Sequence, residues 1–190
     1  INSCGTNGEY GPREVSLPIL VDQVKLSSWH MFANDSRQLF EIDLLSKKLI
    51  PYYSPESGSI AWPSMSSDGK YLSYVSIRDG KGLLILYDQK QKKSKNIFSS
   101  AWITQSAWSH NNRYLAFAAQ LPTDKSSLCI YDSKIDEIRF FGTEIKIDNN
   151  ISAPSWSMDD SCILITSAEG DSVKISISDN SVANLFKGIN

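Results

Sequence analysis

The sequence predicts an all-β chain assembled from repeated four-stranded antiparallel units. Three observations lead there. Segments sharing one pattern begin at Ile60, Ile103 and Ile151, at spacings of 43 and 48 residues. Each segment consists of short runs rich in β-branched and aromatic residues that alternate in polarity, and turn-forming residues separate the runs at every step. No stretch of about 18 apolar residues occurs, so no segment is long and apolar enough to cross a bilayer as a helix.

The unit from Ile60 shows the grammar most completely. Ile60-Ala61-Trp62-Pro63-Ser64-Met65 is the inner strand, and Ser67-Asp68-Gly69-Lys70 follows with the Asp-Gly pair of a tight hairpin. Tyr71-Leu72-Ser73-Tyr74-Val75 alternates as a half-buried second strand, Arg78-Asp79-Gly80-Lys81-Gly82 turns, and Leu83 to Tyr87 forms the third. Asp88 leads into a charged turn from Gln89 to Lys95, and Asn96-Ile97-Phe98 begins the outer strand. The basic run Lys90-Gln91-Lys92-Lys93-Ser94-Lys95 is therefore expected as a solvated turn that discourages edge-to-edge pairing, not as a nucleic-acid patch.

The next two units repeat the order. Ala107-Trp108-Ser109-His110-Asn111-Asn112-Arg113-Tyr114-Leu115-Ala116-Phe117 and Pro154-Ser155-Trp156-Ser157-Met158-Asp159-Asp160-Ser161-Cys162-Ile163-Leu164-Ile165 carry the inner strand, turn and second strand. Cys129-Ile130-Tyr131-Asp132 and Ile175-Ser176-Ile177-Ser178-Asp179 are expected as third strands, with Ile138-Arg139-Phe140-Phe141 and Val182 to Phe186 outermost. An eroded earlier unit is expected from Gln38–Leu44 and Lys48–Ile50 as its last two strands, with Leu26 to Phe32 second and Val15 to Val21 first. Pro18 weakens that first strand, because proline removes a ladder donor.

Units of this length and strand count are those of β-propeller blades. The expected organisation is a tether at 1–13 followed by blades at about 14–58, 59–101, 102–149 and 150–190, as a partial propeller or a small ring. The Trp-Ser-x-Asp-Gly-Lys-x-Leu pattern, ending in a strand of the Ile-Tyr-x-Asp kind, resembles the TolB-like class of β-propeller repeats. Trp108-Ser109 and Trp156-Ser157 keep the aromatic and the serine, and Met65-Ser66 replaces the tryptophan. Only Ser67-Asp68-Gly69 retains the Asp-Gly turn; Asn111-Asn112 and Asp159-Asp160 substitute residues that still tolerate turn backbones. The signature Trp is expected to fill the wedge between blades, and the Ser and Asp to satisfy hairpin backbone groups. An array of three or four blades leaves end faces uncovered, which implies remaining blades of a longer chain, a homodimer, or closure as a four-bladed ring.

Composition narrows function. Nineteen Lys and Arg against twenty-one Asp and Glu leave a net charge of -2, so no global field favours nucleic acid. Cys4, Cys129 and Cys162 match no metal or disulfide spacing; Cys129 and Cys162 read as small buried strand residues. Ser3-Cys4 resembles the end of a bacterial lipoprotein signal, with a small residue before the cysteine. That resemblance implies a lipidated membrane tether and an extracytoplasmic location, periplasmic or membrane-anchored. The two histidines, His30 and His110, fall in a strand and in a turn, no Gly-x-Ser-x-Gly elbow or phosphate loop is present, and no cofactor or metal site is expected. Asp159-Asp160 and Asp171 do not follow a calcium-loop spacing.

By resemblance to propellers, the loops from outer to next inner strand and from second to third strand share the binding face around the channel. That face is expected to hold Tyr52, Tyr53, Glu56, Trp62, Trp102, Gln105, Arg78 with Asp79, Gln120 with Asp124, Glu144 with Asp148, and Glu169 with Asp171. Tyr52, Tyr53, Trp62, Arg78, Trp102 and Gln105 are the candidate ligand-binding residues, with the two tryptophans foremost because they lie off the repeat signature. The expectation is a non-enzymatic platform recognising a protein, peptide or glycan. The alternatives are the propeller portion of a larger prolyl-oligopeptidase-like hydrolase, or a propeller lyase or hydrolase in its own right.

Overall fold

A computed structural model describes residues 32–34, 38–43, 46–121, 126–141, 153–166 and 170–186. Its strands form four antiparallel meanders, in which each strand hydrogen-bonds to the next in sequence. The first meander comprises β1 (Phe32–Asn34), β2 (Leu39–Asp43) and β3 (Lys48–Tyr53). The second has β4 (Ala61–Met65), β5 (Tyr71–Arg78), β6 (Lys81–Asp88) and β7 (Lys93–Ser100). The third has β8 (Ala107–Trp108), β9 (Tyr114–Gln120), β10 (Ser126–Asp132) and β11 (Glu137–Phe141). The fourth has β12 (Ser155–Trp156), β13 (Cys162–Thr166), β14 (Ser172–Ser176) and β15 (Val182–Phe186). We number these sheets blades 1 to 4. The expected strands at Val15–Val21 and over 26–31, and the tether with Cys4, lie outside the described residues.

Period-two alternation lets one strand serve two joints. On β9, Leu115, Phe117 and Ala119 join Cys129 and Tyr131 against Val75, Leu84 and Leu86 of blade 2. The intervening Ala116 and Ala118, with Leu128, Ile130 and Phe141, pack on Trp156, Ile163, Ile165, Val173 and Ile175 of blade 4. Leu39 packs with Ile60, Leu72, Tyr74 and Tyr87 between blades 1 and 2. Burying each such Leu, Ile or Phe contributes about 1.5–3 kcal/mol, so the joints are the main store of stability.

The signature tryptophans do fill the wedges. Trp108 stacks on Tyr71 of the preceding blade, with ring centroids 5.8 Å apart, and Trp156 stacks on Tyr114 at 6.0 Å. Trp156 also donates from Nε1 to the Ala107 carbonyl at 3.0 Å.

The signature serine and Asx build the same turn three times. Ser66 Oγ donates to Asp68 Oδ1 at 2.6 Å, Ser109 Oγ to Asn111 Oδ1 at 2.9 Å, and Ser157 Oγ to Asp159 Oδ1 at 2.6 Å. Each Asx oxygen then accepts the backbone N–H two residues on, from Lys70, Arg113 or Ser161. The next position is left-handed in all three turns: Gly69 at φ 69°, Asn112 at 62° and Asp160 at 57°. In the two turns that depart from Asp-Gly, this residue reaches back to the previous blade. Asn112 Oδ1 accepts from Ser67 Oγ at 2.8 Å, and the Asp160 carboxylate accepts from the backbone N–H groups of His110 and Asn111 at 2.7 and 2.8 Å. Loss of glycine from the repeat thus supplies a latch between blades.

Several expected boundaries move: the Arg78–Gly82 turn shortens to Asp79 and Gly80, because Arg78 pairs with Lys81 and Ile77 with Gly82, and the third strand of blade 3 begins at Ser126, not Cys129. The charged turn is shorter than Gln89–Lys95, because Lys93, Ser94 and Lys95 already pair with Asp88, Tyr87 and Leu86 as the start of β7. The third strand of blade 4 is Ser172–Ser176, not Ile175–Asp179. Ser176 N–H donates to the Ser181 carbonyl and Ile177 N–H to that of Ser161, which closes the turn two residues earlier.

Candidate functional site

By antiparallel pairing, the end of β3 and start of β4, and the end of β7 and start of β8, lie at the same end of the blades as the β5–β6 turn, where β9, β11 and β13 also end. The latched turns lie at the other end. The first end is the expected channel face; the most unusual residue of the inner strand that leads away from it is Trp62, level with Tyr74 of β5.

Trp62 sits in the innermost strand of blade 2 with φ at 50°. Seven other non-glycine residues are left-handed among those described: Lys47, Asp79, Lys92, Asn112, Asp136, Asp160 and Asn180, all in turns between strands. Trp62 alone adopts this backbone within a strand, where a bulky residue costs about 1–2 kcal/mol. The cause is a bulge: Ala61 pairs with Val75 and Ser64 with Ser73, so Trp62 and Pro63 are squeezed into a register gap. The bulge aims the indole outward, leaving it 48% exposed.

The loop before β4 is fastened to the end of β5. The Arg78 guanidinium donates to the Ser57 carbonyl at 3.2 Å and to its hydroxyl. Gly58, at φ 88°, is required there, since a Cβ would lie 2.2 Å from Ser76 Oγ. Beyond Arg78, the Asp79–Lys81 turn, Ser99–Ala101 and Gln120–Leu121 line a cleft of about 430 Å³ between blades 2 and 3 on the same face.

The remaining candidates separate from Trp62. Trp102 is half-buried and packs against the core between blades 3 and 4, while its carbonyl accepts from Gln120 N–H at 3.2 Å. Tyr53 turns into the joint between blades 1 and 2; its hydroxyl lies 3.0 Å from that of Tyr74 and 2.9 Å from Ser94 Oγ, and its ring lies 4.3 Å from that of Tyr87. Tyr52 packs on the same cluster, where burial, followed by the nearby Glu41 and Tyr87, raises its hydroxyl above the ordinary tyrosine value. Gln105 is exposed, with its carbonyl accepting from Thr104 Oγ1 at 3.2 Å. The exposed candidates are thus Trp62, Arg78 and Gln105, whereas the two tyrosines and Trp102 hold joints together. Asp124, Glu144, Asp148 and Glu169 lie outside the described residues.

The cleft residues Lys81, Ser99 and Ala101 were not expected. Their signal in the sequence, a left-handed Asp79-Gly80 pair at a hairpin, marks the turn but not the gap it borders. On the opposite face, His110 Nδ1 lies 2.9 Å from Asp160 Oδ1. Ser67 Oγ points to Asn112 Oδ1 and to the His110 carbonyl, not to the imidazole, so this Ser, His and Asp do not form a relay.

No family model and no curated protein matches the sequence. Solved structures do match. A putative TolB from Agrobacterium tumefaciens aligns with a TM-score of 0.69 at 13% identity, over 83% of this chain and 58% of that one. TolB from Acinetobacter baumannii aligns at 0.64 and 16% identity, over 82% and 40%. An oligogalacturonate lyase in complex with manganese aligns at 0.62 and 16% identity, over 81% and 49%. The chain therefore has the β-propeller fold shared by TolB-like proteins and by enzymes, and it spans roughly half the length of these neighbours.

Proposed function

We propose that this chain is a non-enzymatic binding platform that recognises a protein, peptide or glycan on its channel face, with Trp62 as the principal contact. One observation carries the reading: a strained, half-exposed tryptophan in a strand interior. Strain of this kind persists only where surrounding structure imposes it, and it clusters at binding and catalytic sites. An exposed indole on the strand that follows the Arg78-fastened loop offers stacking area, and the cleft at Asp79–Lys81 on the same blade offers polar groups, together the composition of a specific contact surface. Arg78 and Gln105 flank that contact in this reading, with Tyr52, Tyr53 and Trp102 fixing the blades that present it. The platform works outside the cytoplasm, tethered through a lipidated Cys4, and its exposed end blades meet further blades or a second copy.

The test is to probe peptide and glycan arrays with the labelled protein and with W62A. Binding by the parent, lost in W62A with an unchanged circular dichroism spectrum, supports the platform. Equal binding by W62A would overturn the assignment of the site.

A further inference from the structure

The joint between blades 2 and 3 contains an ion pair at its outer rim. Lys95 of β7 pairs through Nζ with the Asp136 carboxylate in the turn after β10. The Tyr131 hydroxyl donates to the same carboxylate at 3.0 Å. The two hydrogen bonds hold Asp136 below the ordinary carboxylate value.

The register identifies the matching positions one joint further on. Lys95 pairs with Leu86, and Arg139 pairs with Ile130, at the same place in β7 and β11. Asp136 and Asn180 are the matching left-handed turn residues, at φ 60° and 58°. Tyr131 and Ile175 are matched as well, opposite Leu115 and Ile163. Between blades 3 and 4 the cation is therefore kept, while the acid has become Asn180 and the supporting hydroxyl has become an isoleucine.

Arg139 is left without a carboxylate partner among the described residues. Its guanidinium lies 5.7 Å from the ring centroids of both Tyr114 and Phe141. Arg139, Phe140, Phe141 and Asn180 line a pocket of about 380 Å³, although the Phe140 ring itself turns to the other face of β11, with its centroid 6.1 Å from that of Phe98 in blade 2. A guanidinium steadied on aromatic rings loses little freedom on engaging a planar anion, and it presents two parallel donors to a carboxylate.

We propose that this rim pocket binds a carboxylate carried on an apolar group, which takes the place that Asp136 fills in the preceding joint while its apolar part lies against Phe141, on the blade 4 side of β11. A small aromatic acid and the C-terminal residue of a peptide present the same chemistry. The site is separate from the channel face and independent of Trp62.

The probes are phenylacetate, its neutral analogue phenylacetamide, and a tetrapeptide ending in Phe as the free acid or the amide, each titrated into the protein by calorimetry. Phenylacetate is expected to bind saturably to the parent, at least tenfold more weakly to R139Q, and at least tenfold more weakly to N180D, whose new carboxylate occupies the pocket from within. W62A is expected to bind as the parent does. Tighter binding of the peptide acid than of phenylacetate identifies a chain terminus as the source, and the reverse identifies a free acid; both support the site. Equal binding of phenylacetamide overturns the proposal. So does unchanged phenylacetate binding by N180D with an intact near-ultraviolet spectrum.

Discussion

The two ends of the blades are built on different terms. At the latched end, Ser66, Ser109 and Ser157 make the same turn with Asp68, Asn111 and Asp159, and Asn112 and Asp160 tie each blade to the one before. Toward the channel end the described residues show no such repetition: one connection is fastened by Arg78, another folds back through an isolated Ile103–Ala119 bridge, and Trp62 lies in a bulge of β4. Regular hydrogen bonding is concentrated where blades must be aligned. Away from those turns, the one left-handed residue inside a strand among those described is Trp62, and its indole is exposed. The repeat therefore holds the molecule in register from one end and leaves the other free to diverge.

The difference is broken most forcefully at the wedge. W156A removes a ring that is 9% exposed, stacks on Tyr114 and donates to Ala107, and it is expected to cost about 3–5 kcal/mol in denaturant unfolding. D160A should cost less, about 1–3 kcal/mol, because the N–H groups of His110 and Asn111 lose their acceptor at a position where the side chain is 8% exposed. A stability comparison of D160N with D160A would show how much of the latch survives without the charge. At the channel end the sign reverses. W62G should be more stable than W62A by about 1 kcal/mol, since glycine alone accepts a left-handed backbone freely, and both should lose ligand binding. If W62A proves the more stable, the bulge imposes no strain and the contrast between the ends fails.

The smallest effect is in acid. Hydrogen bonds from Ser157 and Ser161 hold Asp159 at about 2, and those from Ser181 and Ser176 hold Asp179 at about 2. The ordinary aspartate value is about 3.9, so both are depressed on folding. Their contribution is present above about pH 4 and is lost as pH falls toward about 2. Carboxyl titration by NMR should show S157A raising Asp159 toward its ordinary value while Asp179 stays put.

What could be read from the sequence follows from how local each cause is. The Ser-x-Asx turn closes within five residues, so Ser109 to Tyr114 announces itself in any alignment of the units. The third strand of blade 4 could not be placed, because Ile175-Ser176-Ile177-Ser178 alternates identically in either register and only the Ser176–Ser181 closure decides. Trp62 stood out as an aromatic off the signature, yet its backbone depends on a one-residue mismatch with β5, which no local pattern records. Trp102 and Tyr53 looked equally available, since an aromatic near a strand end faces solvent or a neighbouring blade depending on how blades stack. Lys95 and Asp136 lie 41 residues apart, and their meeting is a property of the joint alone.

Cys129 gives that joint a built-in clock. Its thiol is fully buried on the side of blade 3 that faces blade 2, and burial pushes it up to about 12, which leaves it inert while the blades remain together. An alkylating reagent reaches it only when Phe117 and Leu84 part company. The rate of its modification therefore counts separations of two adjacent blades, a local event that global unfolding curves average away. Partly exposed Cys162 ticks alongside as the reference. Slow reaction at Cys129 that accelerates in D160A would mean the distal latch governs how often a whole blade swings free.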